Sequence, residues 1–439
     1  MMPNSYPSVD IINLGCSKNL VDSEQLMTQL VLRGIKTRID PERVDADILI
    51  INTCGFIHDA REESVNTILQ AVETRRSGRI REIRVMGCLV QRYAGELAEN
   101  IPEVDRWYGV NDLEKILNDF SLVVSGDALT RRIHSTPVHY AYLKVSEGCS
   151  HACTFCSIPA IRGKHVSRPV AEIISEARFL ASNGTRELIL IAQDLTAYGT
   201  DLYGEQRITP LVEKLHEIEE IDWIRLHYAY PRRFPRDLLD LMAGSDKVCR
   251  YLDLPLQHIA DPVLKAMNRG IGRRESEELI HLIRERVPGV ALRTTMLVGF
   301  PGEGEDEFDE LMNFVADTRF DRLGVFTYSH EEGTRAGNRM ADDVPEDVKR
   351  ERADRLMELQ QGISLELNLQ RVGEELPVMI DRYEDGVYYG RTEADSPEVD
   401  QEVMVEGPLN TLPLGRICMV TITGAGEFDL SGVPSQDIL

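Results

Sequence analysis

The 439-residue chain has no run of 18 or more apolar residues, the least that a membrane-crossing helix needs. Its first residues, Met-Met-Pro-Asn-Ser-Tyr-Pro-Ser, lack the basic stretch followed by an apolar one that marks a secretory leader. These absences predict a soluble, cytoplasmic protein with no membrane partner. Basic charge is scarce too: 49 Lys and Arg face 73 Asp and Glu, a formal net charge of −24. Such a chain repels a phosphate backbone at long range, whereas nucleic-acid proteins gain affinity from basic patches. Its field favours a basic protein partner, unless the charge serves solubility alone. In a reducing compartment clustered cysteines mean metal more often than disulfides.

The fourth cysteine of a cluster motif is also missing. Cys149, Cys153 and Cys156, in Glu-Gly-Cys-Ser-His-Ala-Cys-Thr-Phe-Cys, form a Cys-x3-Cys-x2-Cys triplet. A structural zinc site wants four protein ligands, and a 4Fe–4S cluster normally takes four cysteines. Three thiolates around one cube therefore leave one iron open for another ligand. A zinc or redox cysteine cluster with a remote fourth ligand is the competing reading.

The pattern along the chain predicts an α/β multidomain protein of three parts. In the first, apolar runs at Val9–Leu14, Asp47–Ile51 and Ile83–Met86 each lead to a cysteine: Cys16, Cys54 and Cys88. Helix-like segments follow, such as Asp22–Leu32 and Ala60–Thr74. Strand–cysteine–helix units fit a doubly wound parallel sheet, whose strand ends line one ligand-binding edge. The three cysteines should therefore converge on one rim. From Tyr140 to about Ser329 six further apolar strands alternate with amphipathic helices such as Ala171–Ser182 and Glu275–Arg286. They predict a partial β/α (TIM-like) barrel with its chemistry at the carboxyl ends of the strands. Pro345 opens a long helix to about Gln370, read as a bridge. Short strand-like segments then predict a small antiparallel β-barrel. Residues 371–439 hold 4 basic and 14 acidic residues, a net of −10, the wrong sign for RNA.

The whole chain resembles the radical S-adenosylmethionine (SAM) methylthiotransferases. Gly15-Cys16-Ser17-Lys18-Asn19, Asn52-Thr53-Cys54 and Gly87-Cys88 carry the likeness in the first domain. Cys149 to Gly163 and Leu297-Val298-Gly299-Phe300-Pro301-Gly302-Glu303 carry it in the second. The implied domains are a methylthiotransferase cluster domain (1–130), a radical SAM domain (135–370) and a TRAM domain (371–439). Tyr228-Ala229-Tyr230-Pro231 and Asp253-Leu254-Pro255-Leu256-Gln257-His258 look like the RimO type. That branch modifies an aspartate of small-subunit ribosomal protein S-twelve; a sister branch modifies adenosine in transfer RNA. A third reading, not catalytic, is an iron–sulfur redox sensor that docks on the ribosome.

The resemblance implies two 4Fe–4S clusters and SAM as cofactors, and a flavodoxin- or ferredoxin-like reductant. Cys149, Cys153 and Cys156 would hold the cluster that cleaves SAM to a radical able to take hydrogen from the aspartate β-carbon. Cys16, Cys54 and Cys88 would hold a second cluster that delivers the sulfur. Phe155 could pack on the SAM adenine or lie in the core. Gln193 and Asp194, at a strand end, could bind the SAM amino group or cap the next helix. Arg293, Thr295 and Glu303 could touch its ribose or carboxylate. Cys249 and Cys418 read as small core residues, and His258 as a hydrogen-bonded structural histidine. The basic clusters Arg75, Arg76, Arg79 and Arg81; Arg232 and Arg233; and Arg273 and Arg274 leave direct RNA binding open.

Overall fold

The computed structural model describes residues 7–435. Strands β1 (Val9–Asn13), β2 (Thr37–Ile39), β3 (Ile48–Thr53), β4 (Glu82–Gly87) and β5 (Arg106–Tyr108) form a parallel sheet in the order β2-β1-β3-β4-β5. Every residue of β3 is buried, as a parallel strand covered on both faces requires. Ile48 and Ile50 pack with Leu26 and Leu30 of the helix Ser17–Val31, while Leu49 and Ile51 pack with Ile68 and Leu89 on the other face. The strand order reverses between β1 and β3, so the crevice beyond their carboxyl ends is the topological switch point. Cys16 and Cys54 lie just past those two ends, and Cys88 opens the helix after β4.

The central sheet is parallel, in the order β13-β12-β11-β10-β9-β6. Its strands are β6 (Tyr140–Lys144), β9 (Glu187–Ile191), β10 (Trp223–Leu226), β11 (Val248–Asp253), β12 (Ala291–Val298) and β13 (Arg322–Thr327). Strands β6 and β13 are not paired, so the barrel stays open. Between β6 and β9 a short antiparallel pair, β7 (Ser146–Glu147) and β8 (Val166–Ser167), brackets the cysteine triplet.

The helix Glu346–Gln370 buries Leu356 and Ile363 in the central core, so it is an outer layer of that domain as well as a connection. The last strands, β14 (Glu375–Glu384), β15 (Val387–Arg391), β16 (Glu402–Glu406), β17 (Ile417–Ala425) and β18 (Asp429–Pro434), close a barrel in the order β14-β15-β16-β18-β17. The β16–β18 pair is parallel. The other four pairs are antiparallel, as the small barrel expected from the sequence requires, and an odd ring of strands cannot alternate direction all the way round, so one pair must be parallel.

The segment 392–400 of this barrel presses against side chains of the open barrel. Arg225 Nη1 donates to the Glu393 carbonyl (2.7 Å), Tyr251 Oη to Asp400 (2.8 Å), and Arg322 pairs with Asp395. Among the described residues no helix is long and apolar enough to cross a membrane.

Candidate active site

All six motif cysteines line one cavity of about 420 Å³, between the carboxyl ends of the first sheet and those of the open barrel. The triplet loop is pinned at several points. Gly148 turns the chain into it at φ +72, where a Cβ would lie 2.2 Å from the Lys164 carbonyl oxygen, so only glycine fits. Cys149 N donates to Gly163 O (3.1 Å), Thr154 N to Met267 O (3.0 Å) and Asn268 Nδ2 to Ala152 O (2.8 Å). His151 stacks on Tyr230 with ring centroids 3.7 Å apart, and its Nε2 meets Asp194 Oδ2 at 2.6 Å. Arg269 Nη1 donates to Cys153 Sγ at 3.4 Å.

Burial pushes Cys149 up to about 11 and Cys156 to about 12, with the neighbouring thiols adding to the shift. Across the cavity burial likewise lifts Cys88 to about 12, and Cys16 and Cys54 raise it further while Arg162 opposes them. Thiols gathered so closely favour their ionised form only when a cationic centre neutralises them. Among the described residues no three Cys, His, Asp or Glu side chains are grouped to hold a single ion. Ligands of a cube each meet a different iron and share no common centre. Three thiols from each domain open on the same cavity, and each set is a donor set of the kind that would hold an iron–sulfur cluster.

The expected cofactor contacts divide into two groups. Phe155 lines the cavity and meets Phe300 edge-to-face at 6.5 Å. Gln193 lines it too; its Nε2 donates to Glu147 Oε1 (2.7 Å), leaving its buried Oε1 with no hydrogen-bond partner. An orphaned buried acceptor at the cavity wall suits an N–H of the SAM amino group. Asp194 stands one layer back: its Oδ1 accepts from Thr196 N (2.9 Å) and Oγ1 (2.7 Å), so it caps the turn and orients His151.

Arg293, Thr295 and Glu303 are not in the wall. Arg293 pairs with Asp253 (3.1 Å) and with Asp400 of the terminal barrel (3.3 Å). The Thr295 carbonyl accepts from Gln257 N (2.8 Å). Glu303 is buried, accepting from Gly299 N (2.8 Å) and Arg352 Nη1 (2.9 Å), and it lies 3.5 Å from His258 Nε2. It holds the glycine turn shut. His258 is fully buried with Nδ1 accepting from Ala260 N, as a structural histidine should. Cys249 lies in the core, and Cys418 is partly buried against the barrel core.

Sequence reasoning passed over Lys18, His151, Arg162, Tyr228, Tyr230, Gln257 and Arg269, which also line the cavity. All but Arg269 lie inside the quoted motifs, which gave them no separate role. Tyr228 (φ 62) and Gln257 (φ 77) add backbone strain, of the kind that gathers at functional sites. Arg162 pairs with Glu147 (3.0 Å) and Asp22 (3.0 Å). Burial alone would raise the Glu147 carboxyl, but Lys144 and Arg162 hold it far below the usual range.

Residues 8–109 match the uncharacterized protein family UPF0004, residues 143–315 the Radical SAM superfamily and residues 372–434 the TRAM domain. The chain is 52% identical over 423 residues to the ribosomal protein uS12 methylthiotransferase RimO of Porphyromonas gingivalis, covering 96% of this chain and 98% of that protein. Identity to the RimO of Cytophaga hutchinsonii is 48% over 429 residues, 98% of each. The fold is similar to that of the radical SAM methyltransferase TsrM from Kitasatospora setae, solved with tryptophan and a SAM analogue (TM-score 0.53, 13% identity, 93% of this chain and 81% of that one). With near-complete coverage at about half identity, the chain belongs to the RimO family of radical SAM methylthiotransferases.

Proposed function

We infer that this protein transfers a methylthio group to the β-carbon of an aspartate of ribosomal protein uS12, using SAM and two 4Fe–4S clusters. The observation that carries the reading is the shared cavity: two cysteine triads from two domains open on one space. Cys149, Cys153 and Cys156 would hold the cluster that binds SAM, and Cys16, Cys54 and Cys88 the one that carries sulfur. An unactivated C–H bond is too weakly acidic for acid–base removal, and the bound cofactors supply the radical chemistry that replaces it.

The chain's own residues bind and orient. Gln193 Oε1 is the free acceptor for an N–H of the SAM amino group, and Phe155 supplies an aromatic wall. Asp194 fixes His151 against Tyr230, which keeps the triplet loop in place. Phe56, Ile158 and Ile161 make the cavity apolar and keep water from competing for the reactive centre.

The acid surplus of the terminal barrel supports a basic protein substrate. The basic clusters of the sequence support RNA less, because much of their charge is answered locally. Arg75 pairs with Asp105, Arg76 with Glu73, Arg273 with Glu277 and Glu310, and Arg274 with Glu278. A cytoplasmic setting, with a flavodoxin- or ferredoxin-like electron donor, completes the proposal.

Mass spectrometry of a strain deleted for this gene tests it. The expected loss is the methylthio group on uS12, restored by the wild-type gene and not by Cys153→Ala. An unchanged uS12 together with unmarked transfer-RNA nucleosides would put the enzyme in the sister branch. Reconstituted protein should hold about eight irons per chain, two cubes. Four or fewer, without SAM cleavage under strong reductant, would favour the redox sensor.

A further inference from the structure

Three cations line the cavity, and two of them are committed. Arg162 is held by Glu147 and Asp22, and Arg269 donates to Pro255 O and Cys153 Sγ. Lys18 is different. It is only 7% exposed, yet its Nζ has no hydrogen-bond acceptor or carboxylate among the described residues. Its contact is the face of Tyr228, with Nζ 3.1 Å from the ring centroid. An ammonium drawn partly out of water without a counter-ion carries a cost. A ring face offsets part of that cost and leaves the positive charge available to an incoming anion.

The placement says which anion. Lys18 is the second residue of the helix that follows Cys16, and Tyr228 lies just beyond the end of β10, so the ammonium sits at the seam between the two domains. Tyr228 is held there in a left-handed conformation, its N–H bonded to Asp253 Oδ2 at 3.1 Å. A substrate carbon attacked in this cavity must lie between the two cysteine triads. In an aspartate the carboxylate is bonded directly to that carbon, so it enters the cavity too and needs a partner there.

We propose that Lys18 Nζ binds the carboxylate of the substrate aspartate and so selects an acidic side chain for methylthiolation. The inference rests on the aspartate reading above. It makes Lys18 a substrate-binding and specificity-determining residue, and Tyr228 the residue that positions it.

The test compares uS12 with a uS12 variant carrying asparagine at the target position, each titrated against reconstituted holoenzyme by fluorescence anisotropy. Wild-type enzyme should prefer the aspartate form by roughly tenfold or more, the range of one hydrogen bond to a charged group. Lys18→Met should bring the two forms within about twofold, with iron content and cluster absorption unchanged, while Lys18→Arg keeps most of the preference. For turnover, Lys18→Met should raise KM for uS12 by a similar factor. Undiminished discrimination by Lys18→Met would overturn the proposal. So would loss of iron in Lys18→Met and Lys18→Arg alike, since Lys18 would then serve the neighbouring cluster. If wild-type enzyme neither binds nor modifies uS12, the functional reading itself fails first, and the proposal with it.

Discussion

Glu303 illustrates how one side chain's role is decided by what surrounds it. Its carboxylate accepts from Gly299 N and Arg352 and abuts His258, all inside the protein. Removing one partner of a buried pair strands the other, at a typical cost of about 3–5 kcal/mol. Glu303→Ala should therefore lower stability by that order in urea denaturation, and Glu303→Gln by less. An unchanged midpoint with weakened SAM binding would return Glu303 to the cofactor-contact role its sequence position suggests. The triplet Cys149, Cys153 and Cys156 was legible because a spacing of three or two residues survives any tertiary context, and Cys16, Cys54 and Cys88 because each follows an apolar strand-like run. The partners of Arg293 and Glu303 were not, because Asp400 is 107 residues from Arg293, and Arg352 is 49 residues from Glu303. Lys18 was hidden differently: it stood inside a recognised motif, and its lack of an anion shows only in three dimensions.

Among the elements, the loop after β13 links both cysteine sets. Glu331, nearly buried, takes Arg61 (2.8 Å) and Arg92 (2.9 Å) from the first domain. Arg92 also donates to Gly55 O (2.7 Å), the residue after Cys54. At its other end the loop donates from Ala336 N to Thr154 O (2.8 Å), inside the triplet. One loop thus fixes the separation of the two triads, on which transfer between them depends. Glu331→Ala should leave iron content intact yet reduce methylthiolated uS12 formed per SAM cleaved by about tenfold, since misplacement of about 1 Å can cost more than that. Equal yields from variant and wild type would show that the clasp is dispensable. Such loops escape a reading of periodicity, as do β2, β5 and the β7–β8 pair, each three residues or fewer per strand. The buried parallel strands were readable to within a few residues, because burial on both faces leaves a continuous apolar run, whereas β18 of the terminal barrel, half-exposed and without such a run, was not read.

At the scale of the molecule, buried charges join the three domains. Arg132 pairs with Glu24 of the first domain and with Glu176 of the second. Arg225 and Arg391 share Glu187, and Arg391 also holds Asp381 of the terminal barrel. Domain order could be read from motifs; this docking could not, because each pair unites distant segments. His227 belongs to the same seam, with Nε2 2.8 Å from Ser396 Oγ of the terminal barrel. Burial, then Arg225, Arg293 and Lys18, hold its pKa well below 6.5. The folded protein therefore keeps His227 neutral while the unfolded chain takes up a proton, and stability falls as pH drops below about 6.5. His134 and His165, also lowered by burial, act in the same direction. Glu176 and Glu187 are depressed by their arginines against the opposing effect of burial, so their contribution is present above about pH 4.3 and is lost below it. Asp400 and Asp321, raised by burial, work against that loss. Urea midpoints should therefore be flat from about pH 8 to 7, decline below about 6.5, and fall again below about 4.3. His227→Gln should remove up to about 1.4 kcal/mol per pH unit from the first decline and leave the second in place. If wild type and variant instead share one slope between about pH 6.5 and 5, His227 is not the group through which acid loosens the terminal barrel.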